Sequence, residues 1–227
     1  MRYIFPPAPQ VGVAIAGSDG LFPVRRVYCV GRNYADHAVE MGADSREPPF
    51  FFSKPADALV SGGGDVPYPP ATNNLQHEVE LVVALASGGA DIPLSRALES
   101  VYGYAVGLDL TRRDLQLAAK DKGQPWDMSK GFDHSAPIAA IQPLAANAHP
   151  ASAAIWLKVN GQLRQQGDVQ QMSWKVAEVI ANLSTYVTLA AGDLIFTGTP
   201  AGVSKAQRGD VLEAGIAGVG ELTVRLV

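Results

Sequence analysis

The chain consists of short apolar runs separated by turns rich in Gly, Pro and Asn, and this spacing limits the folds it can adopt. The strongest runs, residues 78–86 and 101–110, are each long enough for one strand. The Asn160-Gly161 pair between two further runs is typical of a type I′ hairpin turn. Helix-compatible stretches are short and do not alternate regularly with strands, which argues against a doubly wound sheet. We therefore expect an α+β fold, a mixed β-roll or folded-over sheet with short peripheral helices.

Helix boundaries are predicted from capping residues. Thr111 is a suitable N-cap for a helix running to about residue 120, with Asp114 in a capping-box-like position. Ser173 is predicted to cap a further helix. The residues predicted for the apolar face of that helix are Val176, Val179, Ile180 and Leu183. The Gly- and Pro-containing residues 121–136 are predicted to form an irregular loop.

Neither an internal repeat nor a linker divides the 227 residues. A chain of this length can bury a sizeable core without disulfides. Its 47% hydrophobic and 18% charged residues exclude a disordered chain. We expect residues 1–20 to form an N-terminal lead-in segment and residues 21–227 to form a single domain.

Charge and cysteine content indicate the compartment and the class of partner. The net charge is −4, without a cluster of Lys and Arg, which argues against a nucleic-acid-binding surface. Cys29 is the only cysteine, so no intrachain disulfide can form, which fits a reducing cytosol. We find neither a signal peptide nor an apolar window long enough to span a membrane. The expectation is a cytoplasmic protein that binds neither nucleic acid nor membranes.

Two carboxylates stand one residue apart in the apolar run HEVELVV, residues 77–83. Side chains alternate along a strand, so Glu78 and Glu80 point the same way. Burial removes hydration from both and they repel each other, so either one is protonated or a cation lies between them. Oxygen ligands of this type suit Mg²⁺, Mn²⁺ or Ca²⁺. The alternative is a solvated strand face with two ordinary acids, because Glu-x-Glu is a common pattern.

Asp109 is the candidate third acid, because it ends the second strong apolar run, where ligand contacts are frequent. Three acids from two strands suit Mg²⁺ with open positions for water or substrate. A turn or capping role is the alternative for Asp109. Spacing alone does not show that the two strands are neighbours.

Three further features can carry chemistry. His37 and Glu40 share one face of a predicted helix, and a carboxylate beside an imidazole lets it take a proton from water near neutral pH. Lys130 lies in the Gly/Pro-bounded loop and can face a substrate carboxylate. Thr199 belongs to a Thr-Gly-Thr-Pro segment after a strand, which can bind an anion. The alternatives are a surface ion pair, a solvated lysine and an ordinary turn.

Six short motifs occur in order, and together they resemble the fumarylacetoacetate hydrolase family in its small acylpyruvase branch. They are GRNYADH (31–37), FSKP (52–55), HEVEL (77–81), GLDLTRRD (107–114), KGFD (130–133) and TGTPAGV (197–203). The resemblance extends from about residue 24 to the C-terminus, and GRNYADH followed by EPPFFFSKPADALV is most similar to bacterial fumarylpyruvate hydrolases.

This resemblance implies a β-roll of the same type, a single catalytic domain and a homodimer. It implies a Mg²⁺ or Mn²⁺ ion, whose ligands would be the three acids Glu78, Glu80 and Asp109. The other residues it implies are a His37–Glu40 dyad on a segment that orders over the site, a substrate-facing Lys130, and Thr199 at the substrate carboxylate.

The implied reaction is hydrolysis of a C–C bond in a 2,4-diketo acid, most closely fumarylpyruvate, which yields fumarate and pyruvate in gentisate-type aromatic degradation. We expect Asn33 or a backbone N–H to stabilise the oxyanion, and Arg32 to pair with the distal carboxylate of the substrate. Arg164 is a second candidate for that carboxylate, although a surface position is favoured for it. Oxaloacetate decarboxylase or tautomerase activity, isomerisation of a related 2-oxo acid, and a binding protein with an idle metal site stay open.

Overall fold

The structure is a computed structural model that describes residues 3–34, 47–144 and 149–227. In these ranges most of the regular structure is β-strand. The strands are β1 (Gly12–Ala14), β2 (Leu21–Pro23), β3 (Arg26–Gly31), β4 (Phe50–Lys54), β5 (Leu59–Ser61), β6 (Gly64–Val66), β7 (Leu75–Gln76), β8 (Val79–Leu85), β9 (Val101–Leu108), β10 (Thr111–Arg112), β11 (Ala136–Ile138), β12 (Gln142–Pro143), β13 (Ala154–Val159), β14 (Gln162–Asp168), β15 (Asp193–Phe196), β16 (Val211–Ile216) and β17 (Gly220–Leu226).

Two larger sheets form the frame of the molecule. The first has eight strands, seven of them in the order β4-β3-β15-β8-β9-β11-β5, with β12 also beside β9. Its strands run in both directions, since β15 is parallel to β3 and antiparallel to β8. The second sheet has five strands in the order β14-β13-β16-β17-β6. The predicted α+β fold built on mixed sheets is therefore confirmed.

Both faces of the eight-stranded sheet are covered, and this explains why every residue of β8 is buried and why all of them except Glu80 are apolar. Leu81 packs into a core that includes Ile155 of the five-stranded sheet. Val82 belongs to a second core, which includes Val13 of the β1–β2 hairpin. Glu80 lies on the same side of β8 as Val82, so its carboxylate is enclosed by the sheet and the second core.

The helices are few and short. They are α1 (Arg113–Asp121), α2 (Asp127–Lys130) and α3 (Val176–Tyr186), with 3-10 turns at Ala56–Ala58, Leu94–Ser100 and Val169–Gln171. Within the described ranges, none of the helices has the length and apolarity needed to cross a bilayer.

The capping predicted at Thr111 is wrong. Helix α1 begins at Arg113, and Thr111 lies in β10, where its hydroxyl donates to the Asp109 carbonyl at 3.2 Å. The carboxylate of Asp114 accepts a hydrogen bond from the Thr72 hydroxyl at 2.6 Å instead of completing a capping box. Thr72 and Asp114 are 42 residues apart in sequence, so local capping patterns do not predict the bond between them.

The helix predicted after Ser173 is confirmed, but its start is shifted. Helix α3 follows Lys175, whose backbone N–H donates to the Glu178 carboxylate at 2.7 Å, so Ser173 is not the cap. The four residues predicted for its inner face are buried: Val176, Val179, Ile180 and Leu183. The irregular loop predicted for residues 121–136 contains the single-turn helix α2 and the first residue of β11.

The hairpin predicted at Asn160-Gly161 is confirmed by the antiparallel pairing of β13 with β14. Asn160 and Gly161 have φ values of 51° and 76°, and a type I′ turn requires positive φ at both central residues. At the other end of the chain, β1 pairs with β2 and Val13 is fully buried. Part of the lead-in segment therefore packs on the eight-stranded sheet.

We predict that Ile180→Ala lowers the free energy of unfolding by about 2–5 kcal/mol, because it removes a fully buried side chain from the inner face of α3 and leaves a cavity. Leu117→Ala is the control, because Leu117 on α1 is 44% exposed and its truncation should change stability little. Urea denaturation measures both. Equal effects of the two substitutions would contradict the described packing of α3.

Candidate active site

Three carboxylates meet where β8 and β9 lie side by side. The strands pair antiparallel, and the Asp109 backbone N–H donates to the Glu78 carbonyl at 2.9 Å, which brings Asp109 beside the start of β8. One carboxylate oxygen from each of Glu78, Glu80 and Asp109 lies within 4.8 Å of the others. All three residues are at most 5% exposed. The adjacency of the two strands, which spacing left open, is thus established.

The electrostatics of this acid triad favour a cation. Burial raises the pKa of Glu80 well above its usual value, and the carboxylates of Asp109 and Glu78 raise it further. In the described part of the chain, Asp109 Oδ1 is buried without a hydrogen-bond partner, although Lys54 Nζ lies 2.9 Å from it. An all-oxygen donor set of three buried carboxylates fits Mg²⁺ or Mn²⁺.

Three cationic side chains surround the acid triad. Lys130 Nζ lies 2.7 Å from a carboxylate oxygen of both Glu78 and Asp109. Burial lowers the pKa of Lys130, but Asp109 and Glu78 raise it more, so the pKa is raised overall and the ammonium stays charged. Arg113 hydrogen-bonds the other oxygen of Glu78. The predicted site residue Lys130 is therefore part of the site, in direct contact with two of its acids.

The segment after β15 closes one side of the acid triad. The Gly198 backbone N–H donates to Glu80 Oε2 at 2.8 Å. The Thr199 hydroxyl donates to the Val79 carbonyl at 2.7 Å and accepts from Gln165 Nε2 at 2.8 Å. In this arrangement the hydroxyl has no hydrogen left for a substrate carboxylate. Thr199 lines the cavity beside the acid triad, so its backbone N–H is the remaining candidate donor, and the role expected from the sequence stays a prediction.

Arg32 and Asn33, the residues predicted to bind substrate, differ in what they offer. Arg32 lines a small cavity beside the acid triad and has a positive φ of 57°. In the described part of the chain its buried Nε lacks a hydrogen-bond partner. The Asn33 amide donates to the carbonyls of Trp174 and Thr197 at 2.9 and 2.8 Å. Both of its amide hydrogens are used, which leaves neither for the oxyanion role expected from the sequence. His37 and Glu40 lie outside the described residues.

Two cavities that share lining residues lie at this site. The inner one measures about 30 Å³, enough for an ion or one to two water-sized groups, and is bordered by all three acids. The outer one measures about 580 Å³ and has the aromatic walls Phe50, Phe52 and Trp126. Arg32 and Lys130 border both spaces. The geometry therefore provides a small ionic site beside a larger cavity with aromatic and cationic walls.

Sequence patterns missed several residues of this site. Lys54 and Arg113 belong to the FSKP and TRRD motifs, yet no role was predicted for either. Gln165 is fully buried behind Thr199, and its sequence context, a polar hairpin strand, gives no signal of this. Arg164, the second candidate for the distal carboxylate, is exposed and donates to Gln162 Oε1 at 3.0 Å, in agreement with the surface position favoured for it.

A mixed sheet that buries an acid triad beside a ligand-sized cavity defines an enzyme-type site for a divalent ion. Residues 26–227 match the protein family described as fumarylacetoacetate (FAA) hydrolase C-terminal. The chain therefore belongs to the fumarylacetoacetate hydrolase family, as the motifs indicated.

Similar proteins of this family have different activities. The fumarylpyruvate hydrolase of Pseudomonas aeruginosa, solved in complex with Mn²⁺ and pyruvate, is 52% identical with a TM-score of 0.96, over 100% of this chain and 99% of that chain. A 5-carboxymethyl-2-hydroxymuconate delta-isomerase from Mycobacterium smegmatis is 32% identical with a TM-score of 0.80, over 91% of this chain and 80% of that one. The mitochondrial oxaloacetate tautomerase FAHD1 of Mus musculus is 44% identical over 195 residues, 86% of this chain and 88% of that protein. Family membership alone does not select the reaction.

We predict that Glu80→Gln weakens Mn²⁺ binding, measured by isothermal titration calorimetry, by more than about 100-fold, because even loss of a residue that only orients a ligand costs 10–100-fold. Asp133→Asn is the control, since it removes one negative charge from an exposed residue of the KGFD motif. Wild-type affinity in Glu80→Gln would show that the acid triad does not hold the ion.

Proposed function

We propose that the protein is a metal-dependent hydrolase that cleaves the C–C bond of a 2,4-diketo acid, with fumarylpyruvate as its substrate and fumarate and pyruvate as products. The observation that carries this proposal is the buried triad of Glu78, Glu80 and Asp109, which lies beside a cavity bordered by Arg32 and aromatic rings. The overall likeness to a fumarylpyruvate hydrolase at 52% identity supports the same substrate.

Glu78, Glu80 and Asp109 would hold Mg²⁺ or Mn²⁺. Bound there, the ion supplies Lewis-acid stabilisation of negative charge on the α-oxo acid end of the substrate. The Lys130 ammonium lies against two of the acids and borders the cavity, so it adds positive charge beside the same end of the substrate. The Thr199 backbone N–H is the proposed donor to the substrate carboxylate.

His37 and Glu40 are the proposed general base pair. Glu40 orients the imidazole, and His37 removes a proton from water. The hydroxide attacks the distal C4 carbonyl of R–CO–CH₂–CO–COO⁻, and a nearby backbone N–H stabilises the oxyanion. Cleavage of the C3–C4 bond releases R–COO⁻ and the enolate of pyruvate. Protonation of the enolate carbon then gives pyruvate, and the sum is addition of one water.

The charges of the site favour a substrate with two carboxylates. With all three acids ionised around a bound ion, they carry −3, and Lys54, Lys130 and Arg113, which contact them, carry +3. A divalent ion would leave this buried set at +2, and Arg32 at the cavity wall adds one more positive charge, so a dianionic substrate is favoured over a monoanionic one. The buried Nε of Arg32, which lacks a hydrogen-bond partner among the described residues, lies at the cavity wall and is the proposed partner of the second carboxylate. Fumarylpyruvate meets this requirement, and acetylpyruvate carries only one carboxylate.

The second candidate activity is tautomerisation or decarboxylation of oxaloacetate. It is favoured by the 44% identity to a mitochondrial oxaloacetate tautomerase, and oxaloacetate is also a dianionic 2-oxo acid. Neither reaction needs an attacking water. A role for His37 and Glu40 in activating water therefore separates hydrolysis from this alternative.

The proposed substrate also indicates a metabolic role for the protein. Fumarylpyruvate as substrate assigns the protein to the breakdown of aromatic compounds through gentisate-type intermediates. We propose that it acts in the cytoplasm, as the single cysteine indicated, and as a homodimer, as the family resemblance implies.

We predict that the Mg²⁺-loaded protein converts fumarylpyruvate to equimolar fumarate and pyruvate with a higher kcat/KM than acetylpyruvate. Excess EDTA should lower the rate by about 100-fold or more, because the ion contributes several kcal/mol of transition-state stabilisation, and added Mg²⁺ should restore it. Chromatography of the products, with oxaloacetate assayed in parallel, measures the outcome. Turnover of oxaloacetate without hydrolysis of either 2,4-diketo acid would establish the alternative, and full activity in EDTA would exclude a metal-dependent reaction.

We predict that Arg32→Met lowers kcat/KM for fumarylpyruvate by about 10- to 100-fold, because a charge-assisted hydrogen bond contributes about 1.5–3 kcal/mol. Activity with acetylpyruvate should be almost unchanged. Arg164→Met is the matched control, since Arg164 is exposed and does not border the cavity. Equal losses with both substrates in Arg32→Met would remove Arg32 from recognition of the distal carboxylate.

A further inference from the structure

A single buried amide connects the five-stranded sheet to the acid triad. Gln165 lies on β14 and is fully buried. Its Nε2 donates to the Thr199 hydroxyl and to the Pro200 carbonyl, both at 2.8 Å. Its Oε1 accepts from the backbone N–H of Val79 at 3.2 Å. The amide thus bonds the start of β8 and the segment that follows β15, two strands of the eight-stranded sheet.

The orientation of this amide is fixed by its partners. The Val79 N–H can only donate and the Pro200 carbonyl can only accept, so exchange of the amide oxygen and nitrogen would break both bonds. His77 Nδ1 lies 2.9 Å from the same oxygen and must therefore carry a hydrogen. His77 Nε2, 2.9 Å from Ser204 Oγ, is then the acceptor in the neutral ring.

These bonds act on the residues of the acid triad from both sides. His77 and Val79 flank Glu78, and both bond to the one Gln165 oxygen. The nitrogen of the same amide fixes the Thr199 hydroxyl, which in turn donates to the Val79 carbonyl. Gly198, which donates to Glu80, is the residue before Thr199. Gln165 therefore reinforces the spacing between the start of β8 and the turn at residues 198–200, which the direct bond from Thr199 to the Val79 carbonyl also holds.

We propose that Gln165 is a positioning residue, which fixes the position of Glu78 relative to the turn at residues 198–200. The distance between the metal ligands and the donors to the substrate carboxylate then stays constant. This inference rests on the proposed function, in which Glu78 binds the ion and the Thr199 segment binds the α-oxo carboxylate. Residues that orient metal ligands in this way commonly contribute 10–100-fold to affinity or activity.

The test uses Gln165→Leu, which removes all of these hydrogen bonds, and Gln166→Leu as the matched control on the same strand. Gln166 is exposed, whereas its neighbour Gln165 is fully buried. Calorimetric titration with Mn²⁺ should show affinity about tenfold lower in Gln165→Leu and unchanged in Gln166→Leu. Urea unfolding of the same samples identifies folded protein. Wild-type Mn²⁺ affinity in folded Gln165→Leu would overturn the role at Glu78.

Gln165→Glu tests the other end of the amide and keeps the side-chain volume, in case the leucine variant does not fold. It preserves the acceptor for Val79 and His77 but removes the two donors to the Thr199 segment. Mn²⁺ affinity should be no weaker than in the wild type, whereas oxalate, a probe for the α-oxo carboxylate end, should bind the Mn²⁺-loaded variant about tenfold more weakly. Unchanged oxalate affinity would overturn the role at the Thr199 segment.

Neither titration depends on turnover. A protein that shows the expected Mn²⁺ and oxalate affinities but hydrolyses no 2,4-diketo acid would overturn the proposed function and leave the role of Gln165 intact. If the protein hydrolyses fumarylpyruvate while both Gln165 variants bind Mn²⁺ and oxalate like the wild type, the role of Gln165 would be overturned and the proposed function would stand.

Discussion

Mutual repulsion of three buried carboxylates is the constraint to which the surrounding structure responds. Glu78, Glu80 and Asp109 bring oxygens within 4.8 Å of one another where water is almost excluded. Each carboxylate loses hydration there and raises the free energy of its neighbours, so the arrangement persists only with compensating positive charge. Lys54, Lys130 and Arg113 supply that charge from separate parts of the chain. The fold can therefore hold a triad that is prepared for a divalent ion.

The double burial of β8 makes this arrangement rigid. Because Leu81 and Val82 enter different cores, the strand cannot rotate or slip without exposing apolar side chains on one face and the acids on the other. Asp109 is tied to the same frame by its backbone hydrogen bond to the Glu78 carbonyl. The three cationic side chains lie on β4, α1 and α2, and not on β8 or β9. The positions of the carboxylates thus depend on β8 and β9, whereas the balancing positive charges come from other elements.

This division explains which parts of the site the sequence could predict. Strand alternation predicts that Glu78 and Glu80 share a side, and burial of the strand confirms the electrostatic argument for a cation. Lys54 and Arg113 could not be assigned by the same reasoning, since their contacts depend on long-range pairing that no local period encodes. The cap predicted at Thr111 failed for that reason too, because a distant Thr72 competes for Asp114. For Asn33, chemistry suggested a donor, but two backbone carbonyls take both hydrogens.

The hydrogen bonds of Asn33 suggest how substrate selection can differ while the acid triad stays the same. Asn33 is anchored to the segments before Thr199 and before α3, and this fixes the backbone beside Arg32, whose positive φ is unfavourable for a residue with a side chain. Gly31 precedes it, where a Cβ would come within 2.0 Å of the Phe50 ring. The Gly-Arg-Asn sequence thus lets an aromatic wall approach on one side and holds a strained arginine at the cavity on the other. None of the residues of this wall belongs to the acid triad, so the wall can change without a change in the three carboxylates.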